Sequence, residues 1–251
     1  MSETKTIIDP AAEGSLKTMI EAGVFYGRSK SHTNPRMKSY ILHNRNGMEI
    51  FNLHTTVEQL TRAMDFLKEI VRNDGIVLLV ATQPAFADFM NEIVSEFKVP
   101  AVTKRWIGGL LTNFPVITNR VNHLKKLRTD LQAGALEKYT KKERVQFEQE
   151  MERLEAMFGT VENMARTPDV MVVIDPVEHA TAVREAKRLK IPVIAFANVD
   201  ANPDEIDYVV PGNNKGRKSV AWFVENLREA LSVPRNPKQP EAPLSEGEAH
   251  A

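Results

Sequence analysis

Two uninterrupted apolar runs, Ile76 to Val80 and Val170 to Ile174, constrain the fold of this chain more than any other feature. A strand with one face in water alternates polar and apolar residues, so runs like these predict strands that are covered on both faces. A third apolar segment, Pro192 to Ala197, has the same character. Because helical periodicity separates these segments, the pattern predicts an α/β fold with a doubly wound, mainly parallel sheet.

The other elements of this sheet domain follow from periodicity and from helix start and stop signals. The predicted helices are Ser15 to Ala22, Thr55 to Arg72, Pro84 to Phe97, Val177 to Lys190 and Ser219 to Leu231. The other predicted strands are Met48 to Leu53, as the first strand, Val99 to Thr103 and Tyr208 to Val210. The spacing of Thr55 and Glu58 is that of a capping box, which predicts that the second helix begins there.

A helical hairpin is predicted between the strand at 99–103 and the apolar run at 170–174. Apolar residues recur at three- and four-residue spacings in two stretches, one with Ile117, Val121, Leu124, Leu127 and Leu131, the other with Phe147, Met151, Leu154, Phe158 and Val161. A break at Gln132-Ala133-Gly134 separates them, and Thr140 and Glu143 form a second capping box. Two such seams predict an inserted antiparallel, coiled-coil hairpin.

These patterns divide the chain into four parts. We expect an N-terminal extension (1–14), an α/β sheet domain (15–115 and 166–231), the inserted helical hairpin (116–165) and a tail (232–251). The tail is rich in proline and has no hydrophobic periodicity, so we expect it to be disordered.

The composition excludes several classes of protein. The 251 residues include no cysteine, so disulfides and thiolate metal sites are excluded. No apolar run approaches the ~20 residues that span a bilayer, and the N-terminus has no signal-peptide apolar core. We therefore expect a soluble, cytoplasmic protein.

The distribution of charge, rather than its total, indicates a nucleic-acid partner. The chain has 33 Lys and Arg and 33 Asp and Glu, whereas nucleic-acid-binding proteins usually carry a basic surplus. Two segments nevertheless contain basic residues and no acidic ones: residues 28–45 have five Lys or Arg, and residues 97–129 have seven. We call them the first and second basic segments. Segregated charge can form a local anion-binding surface on a neutral protein.

Residues 103–115, which we call the tryptophan corner, hold the most unusual part of the second basic segment. They combine two adjacent cations, a tryptophan, a glycine pair and an asparagine. The glycines permit close approach of the backbone to a partner, and Arg and Trp offer planar faces for stacking on RNA. The alternative is an ordinary corner between the domain and its insertion, with Trp106 tucked under the sheet.

Signals for enzyme chemistry are weaker. The predicted strand Ile76 to Val80 is followed by Ala81-Thr82-Gln83-Pro84, which lacks the glycine of a phosphate-cradling turn. The segment Gly212 to Ser219 lacks the spacing of a phosphate loop. Asp175 could position a metal, but we favour a capping role for it. The acidic residues Asp200, Asp204, Glu205 and Asp207 could hold a hard cation, or form a solvated loop. The six histidines show no metal-ligand spacing.

The tryptophan corner also carries a family signature. Its residues Lys104-Arg105-Trp106-Ile107-Gly108-Gly109-Leu110-Leu111-Thr112-Asn113 closely resemble the signature of the bacterial small-subunit ribosomal protein "S-two" family. Four other stretches match this family in order: Glu21-Ala22-Gly23-Val24 through Asn34-Pro35-Arg36-Met37-Lys38; Asn44-Arg45-Asn46-Gly47; Pro168-Asp169-Val170 through Ile174-Asp175; and Val210-Pro211-Gly212-Asn213. The resemblance covers roughly residues 15 to 230.

The resemblance implies a flavodoxin-like sheet domain that carries a helical hairpin. It implies a structural, rRNA-binding protein of the small ribosomal subunit, without catalysis or cofactor, at the junction of the subunit's head and body. It also implies contact with the large OB-fold ribosomal protein that captures mRNA. The residues that we expect to contact rRNA are Arg28, Lys30, Arg36, Lys38, Arg45, Lys104, Arg105, Trp106 and Asn113.

The chain departs from the family pattern in two places. The family commonly has His-Phe-Gly-His where this chain has Phe25-Tyr26-Gly27-Arg28, so two potential metal-ligand histidines are absent and we expect no metal. The family commonly has Gly-Thr-Lys where this chain has Ala81-Thr82-Gln83, which weakens any rRNA contact at that turn. Two other functions stay open: a flavodoxin-like enzyme or nucleotide sensor that uses Asp175 and the Gly212 loop, and a coiled-coil adaptor that acts through the hairpin.

Overall fold

A computed structural model describes residues 10–135 and 138–236 of the chain. Its helices are α1 (Pro10–Ala22), α2 (Leu53–Arg72), α3 (Ala87–Phe97), α4 (Phe114–Gln132), α5 (Lys141–Phe158), α6 (Ala180–Arg188) and α7 (Arg217–Leu231). Its strands are β1 (Tyr26–Ser29), β2 (Ile41–Arg45), β3 (Met48–Phe51), β4 (Val77–Val80), β5 (Ala101–Val102), β6 (Val170–Ile174), β7 (Val193–Ala197) and β8 (Tyr208–Pro211). Within the described part of the chain, no helix is both long enough and apolar enough to cross a membrane.

The predicted parallel sheet is confirmed. Five strands lie in the order β5-β4-β6-β7-β8, and every neighbouring pair is parallel. Numbered along the chain within this sheet, the order is 2-1-3-4-5, which is that of flavodoxin-like folds. All residues of β4, β6 and β7 are buried, as their uninterrupted apolar sequences predicted.

The predicted first strand does not belong to this sheet. Met48–Phe51 is a strand, but it is the centre of a separate antiparallel sheet with the order β1-β3-β2, which we call the small sheet. The first basic segment, in which no strand was predicted, therefore contributes β2 and the end of β1 to a folded unit. The tight β2–β3 connection at Asn46 and Gly47 has φ values of 51° and 81°. An Asn-Gly pair is the strongest short hairpin signal, so the sequence contained this feature.

Several predicted helix boundaries were wrong for identifiable reasons. Helix α1 begins at Pro10 rather than Ser15, so part of the predicted extension is helical. Helix α2 begins at Leu53 because Asn52, rather than Thr55, caps it by accepting a hydrogen bond from the His54 amide. Helix α6 begins at Ala180, three residues after its predicted start at Val177. Residues 1–9 of the predicted extension and 237–251 of the predicted tail lie outside the described residues.

The parallel sheet separates two hydrophobic clusters. One face is covered by α1, α2, α3 and α7, whose apolar residues meet the side chains of Leu79, Val172 and Phe196. The other face carries α6, the base of the α4–α5 pair, the small sheet and the tryptophan corner. Both basic segments thus pack on the same face, since Met37 from the first and Leu110 from the second share one cluster.

Helices α4 and α5 form the predicted hairpin, with Ile117, Val121, Leu124, Leu127, Leu154 and Phe158 buried. The capping box at Thr140 is confirmed, because Thr140 and Glu143 exchange hydrogen bonds in both directions. Leu131, predicted in the seam, is instead 39% exposed. The base of the hairpin is tied to the sheet, since the Thr160 hydroxyl donates to the Ala101 carbonyl and Val161 joins the cluster of Leu110.

We propose that the outer part of this hairpin folds as an addition to an autonomous sheet domain. Replacing residues 120–156 by a short glycine linker should leave a cooperative thermal transition in circular dichroism, because most of the deleted apolar residues pack on one another. Replacing all of 116–165 should destabilise the domain more, because this deletion also removes Val161 and Met164, which cover Leu110 and Leu111. Loss of folding in the shorter deletion would contradict the two-part architecture.

Candidate nucleic-acid interface

Both basic segments contact the parallel sheet at the end where its strands terminate, which is the edge formed by their carboxyl ends. The tryptophan corner directly follows β5. The small sheet and its β1–β2 connection contact the loop after β7. The Arg28 amide of β1 donates to Asn198 Oδ1 at 3.1 Å, and the Asn34 amide of the connection donates to the Val199 carbonyl at 2.8 Å. Strands β4 and β6 lie between β5 and β7, so three spacings of ~4.8 Å separate the two strand ends by about 14 Å. That distance is short enough for one RNA element to reach both.

The tryptophan corner is built around the carboxylate of Glu185, on α6, whose residue is only 8% exposed. Oxygen Oε1 accepts from the Trp106 indole Nε1 at 3.0 Å and from the Gly109 amide at 2.8 Å. Oxygen Oε2 accepts from the Leu111 amide at 3.1 Å, and from the Thr112 amide and hydroxyl, each at 3.3 Å. Gly109 has φ of 87°, a backbone conformation that side chains disfavour. The corner is therefore a set of donors wrapped around an internal anion.

These hydrogen bonds control the ionisation of Glu185. Burial raises the pKa of its carboxyl, but the bonds from Trp106, Gly109, Thr112 and Leu111 outweigh that effect, so the pKa lies below its ordinary value of 4.5. A lowered folded-state pKa contributes stability that is present above the unfolded-state pKa. That contribution is lost as the pH falls through the folded-state value, so the corner should hold its shape at neutral pH.

Glu185 was not predicted from the sequence, although a signal was present. The residue occupies a position on the buried face of α6, beside Ala182 and Ala186, which are fully buried. A carboxylate at an apolar helical position needs hydrogen-bond donors when it is buried. The sequence gives no indication that those donors lie in the tryptophan corner.

The predicted residues of the corner divide between burial and exposure. Trp106 is half-buried against the cluster around Leu110, and Glu185 engages its indole nitrogen. Lys104 and Arg105 are exposed, and among the described residues neither makes an ion pair. Asn113 is exposed before α4, and its side chain caps no amide of that helix. The corner thus presents two unneutralised cations beside a fixed tryptophan.

The first basic segment is partly neutralised from within the chain. Arg28 donates to the Asp200 carboxylate at 2.5 Å, and its amide donates to Asn198 Oδ1 at 3.1 Å. Arg36 forms an ion pair with Asp204 and lies 3.3 Å from Asn202 Oδ1. These contacts anchor the first basic segment to the loop after β7. Of the two arginines, Arg28 stands where the family that the chain resembles commonly has histidine.

The other three predicted residues of this segment are free of such partners. Lys30, Lys38 and Arg45 are exposed, and no ion pair to them occurs in residues 10–135 or 138–236. Phosphate groups of RNA are contacted by cations that are accessible and uncompensated. Lys30, Lys38 and Arg45 meet that requirement better than Arg28 and Arg36.

The acidic loop after β7 holds its carboxylates in protein contacts. Besides the pairs at Asp200 and Asp204, Asp207 Oδ2 accepts from the Val193 amide at 2.8 Å. Across the described residues, no cluster of three or more His, Cys, Asp or Glu side chains is placed to hold a metal ion. The structure thus gives these acids an internal structural role.

At the strand ends where flavodoxin-like proteins bind ligands, the polar side chains bond to one another. At the ends of β4 and β6, buried Asp175 accepts from Gln83 Nε2 at 3.2 Å and pairs with Lys215 Nζ at 2.6 Å. Asp175 Oδ1 also accepts from the Glu178 amide at 3.3 Å, which closes the turn before α6. The N-cap residue of α6 is His179, so Asp175 does not cap the helix as predicted. In the Gly212 loop, Asn213 Oδ1 accepts from the amides of Lys215 and Gly216, which closes a turn before α7. These contacts disfavour the nucleotide-sensor alternative.

Comparison with known proteins agrees with this arrangement. Residues 19–233 match the family model described as ribosomal protein S2. The chain belongs to the ribosomal protein S2 family. It is 36% identical to small ribosomal subunit protein uS2 of Thermus thermophilus over 219 residues, which is 87% of this chain and 86% of that relative. Identity to the uS2 proteins of Deinococcus radiodurans and Acinetobacter baylyi is also 36%, covering 86% and 91% of this chain and 82% and 92% of the relatives.

Membership of the ribosomal protein S2 family settles the class of function. Its proteins are structural and not enzymatic, in agreement with the prediction from sequence. The chain is accordingly a protein of the ribosome, in the cytoplasm. The family's α/β sheet is the fold observed here.

Proposed function

We propose that this chain is a structural protein of the small ribosomal subunit and binds small-subunit rRNA through one face of its sheet domain. The binding surface comprises the tryptophan corner, with Lys104, Arg105, Trp106 and Asn113, and the small sheet, with Arg28, Lys30, Arg36, Lys38 and Arg45. The observation that carries this proposal is the convergence of two acid-free basic segments on one face and one edge of the sheet.

Five cations make the main phosphate contacts in this proposal: Lys30, Lys38, Arg45, Lys104 and Arg105. All five are exposed and lack an internal acidic partner among the described residues. Cations of this kind release counterions from RNA and supply most of the salt-dependent affinity. Arg28 and Arg36 contribute mainly by fixing the small sheet against the acidic loop, because Asp200 and Asp204 already neutralise them.

The proposal includes the position implied by the family resemblance. We place the chain at the junction of the subunit's head and body, beside the large OB-fold ribosomal protein that captures mRNA. The names of the relatives support the small subunit as its location. The resemblance alone supports the OB-fold neighbour.

The salt dependence of rRNA binding tests the proposal. Affinity of the protein for small-subunit rRNA should fall steeply with salt, by about 0.7–0.9 log units per tenfold change in salt for each phosphate contact. Reversing Lys30 and Lys38 to Glu should reduce the steepness of this salt dependence by the amount that about two phosphate contacts contribute. A matched control reverses Lys17 and Arg62, exposed on α1 and α2 over the opposite face, and should leave it unchanged. Equal slopes for both variants would contradict the assignment of this face.

A further inference from the structure

We infer that Glu185 is a positioning residue for RNA binding. Its carboxylate accepts the hydrogen bonds of the tryptophan corner and thereby holds Lys104 and Arg105 outward and unpaired. This inference rests on the proposed function and assigns a role to a residue on a different element, α6. Nothing in the corner's own sequence reveals it, because Glu185 lies 79 residues after Trp106.

The geometry requires an acceptor-only group at this position. All five partners of Glu185 are donors: three amides, one indole N–H and one hydroxyl. An ionised carboxylate has only acceptor sites, whereas a glutamine amide would direct an NH₂ group at N–H donors. The amides of Gly109, Leu111 and Thr112 converge on its two oxygens, as in backbone nests that bind anions.

The same geometry leaves Glu185 without an ion pair, among the described residues, to the two cations that precede Trp106 in the corner. A glutamate near Lys104 and Arg105 would ordinarily form ion pairs with them, as Asp200 and Asp204 do with Arg28 and Arg36. Within residues 10–135 and 138–236, Glu185 makes no ion pair, because the corner's N–H groups and hydroxyl occupy its oxygens. The buried charge is thus stabilised by dipoles, and the two cations stay available for phosphate.

A double-mutant cycle on rRNA affinity separates positioning from simple structural support. Glu185→Gln should weaken binding by about tenfold or more and lower the salt slope by up to two phosphate contacts, while Glu178→Gln, on the exposed turn before the same helix, should change neither. In a protein that already carries Lys104→Ala and Arg105→Ala, adding Glu185→Gln should have little further effect. Additive losses with an unchanged salt slope would overturn the positioning role.

This cycle distinguishes failure of the inference from failure of the proposed function. If Lys104→Ala with Arg105→Ala leaves rRNA binding unchanged, the corner is not an RNA surface, and the proposed site fails. If that variant weakens binding while Glu185→Gln does not, only the positioning role fails.

A pH titration of the unmodified protein keeps the inference testable if Glu185→Gln does not fold. The amide NMR signals of Gly109, Leu111 and Thr112 should shift together with one midpoint below the ordinary glutamate pKa of 4.5. The hydrogen-bond partners of Glu185 are backbone amides, an indole N–H and a hydroxyl, none of them an acid or a base. The charged residues next in sequence to Glu185 and Trp106 are Arg184, Lys104 and Arg105. Independent midpoints, or no shift before global unfolding, would contradict the inference.

Discussion

Replacing Trp106 by Ala should lower the free energy of unfolding by about 3 kcal/mol. A fully buried tryptophan replaced by Ala costs ~3–5 kcal/mol, and Trp106 is half-buried against the cluster around Leu110, so we expect the lower end. The change also removes the indole donor to Glu185. Denaturant unfolding followed by circular dichroism measures the effect.

Arg105→Ala is the matched control for this substitution. It removes the neighbouring exposed side chain, which makes no ion pair in the described part of the chain. Its unfolding midpoint should stay near that of the unmodified protein, while its rRNA affinity falls. The opposite outcome, with Arg105→Ala unfolding and Trp106→Ala fully stable, would mean that the buried and exposed sides of the corner are assigned the wrong way round.

Reversing both Lys104 and Arg105 to Glu should reduce affinity for small-subunit rRNA by about 100-fold or more at physiological salt. The change removes two phosphate contacts and adds two charges that repel phosphate, and each lost contact costs its share of counterion release. Both side chains are exposed, so the fold should persist, and the unfolding midpoint checks this. Filter binding at several salt concentrations measures the affinity.

The same substitution on the opposite face is the control for total charge. Reversing Lys17 and Arg62 to Glu changes the net charge equally, but these side chains belong to α1 and α2, which cover the other face of the sheet. A loss of similar size in both variants would show that overall charge, rather than the corner, governs the affinity.

The parallel sheet could be predicted because its signal is local. The strands around Val77, Val172 and Ile194 are buried on both faces, so every residue in them must be apolar. The hairpin was predictable for a similar reason, since its seam repeats along each helix. Element boundaries were less accurate because they depend on single hydrogen bonds, such as the one that Asn52 accepts at the start of α2.

The small sheet and the ion pairs could not be predicted in the same way. Strand β2 is mostly exposed and polar, so it has no hydrophobic pattern, and only Asn46-Gly47 marked its turn. The contact of Arg28 with Asp200 spans 172 residues, and that of Trp106 with Glu185 spans 79. Local sequence reports which side chains are charged, but only the fold determines which of those charges remain free for RNA.

Competition for a place in the small subunit tests the central claim most directly. The experiment uses two proteins with different isotope labels: the unmodified protein and the variant with Lys104→Glu and Arg105→Glu. They are mixed in equal amounts with subunits that lack this protein. Mass spectrometry of the purified subunits then gives their incorporation ratio. We predict that the unmodified protein displaces this variant almost completely, while the Lys17→Glu and Arg62→Glu variant competes as its equal. Equal incorporation of the corner variant would contradict rRNA binding through the tryptophan corner.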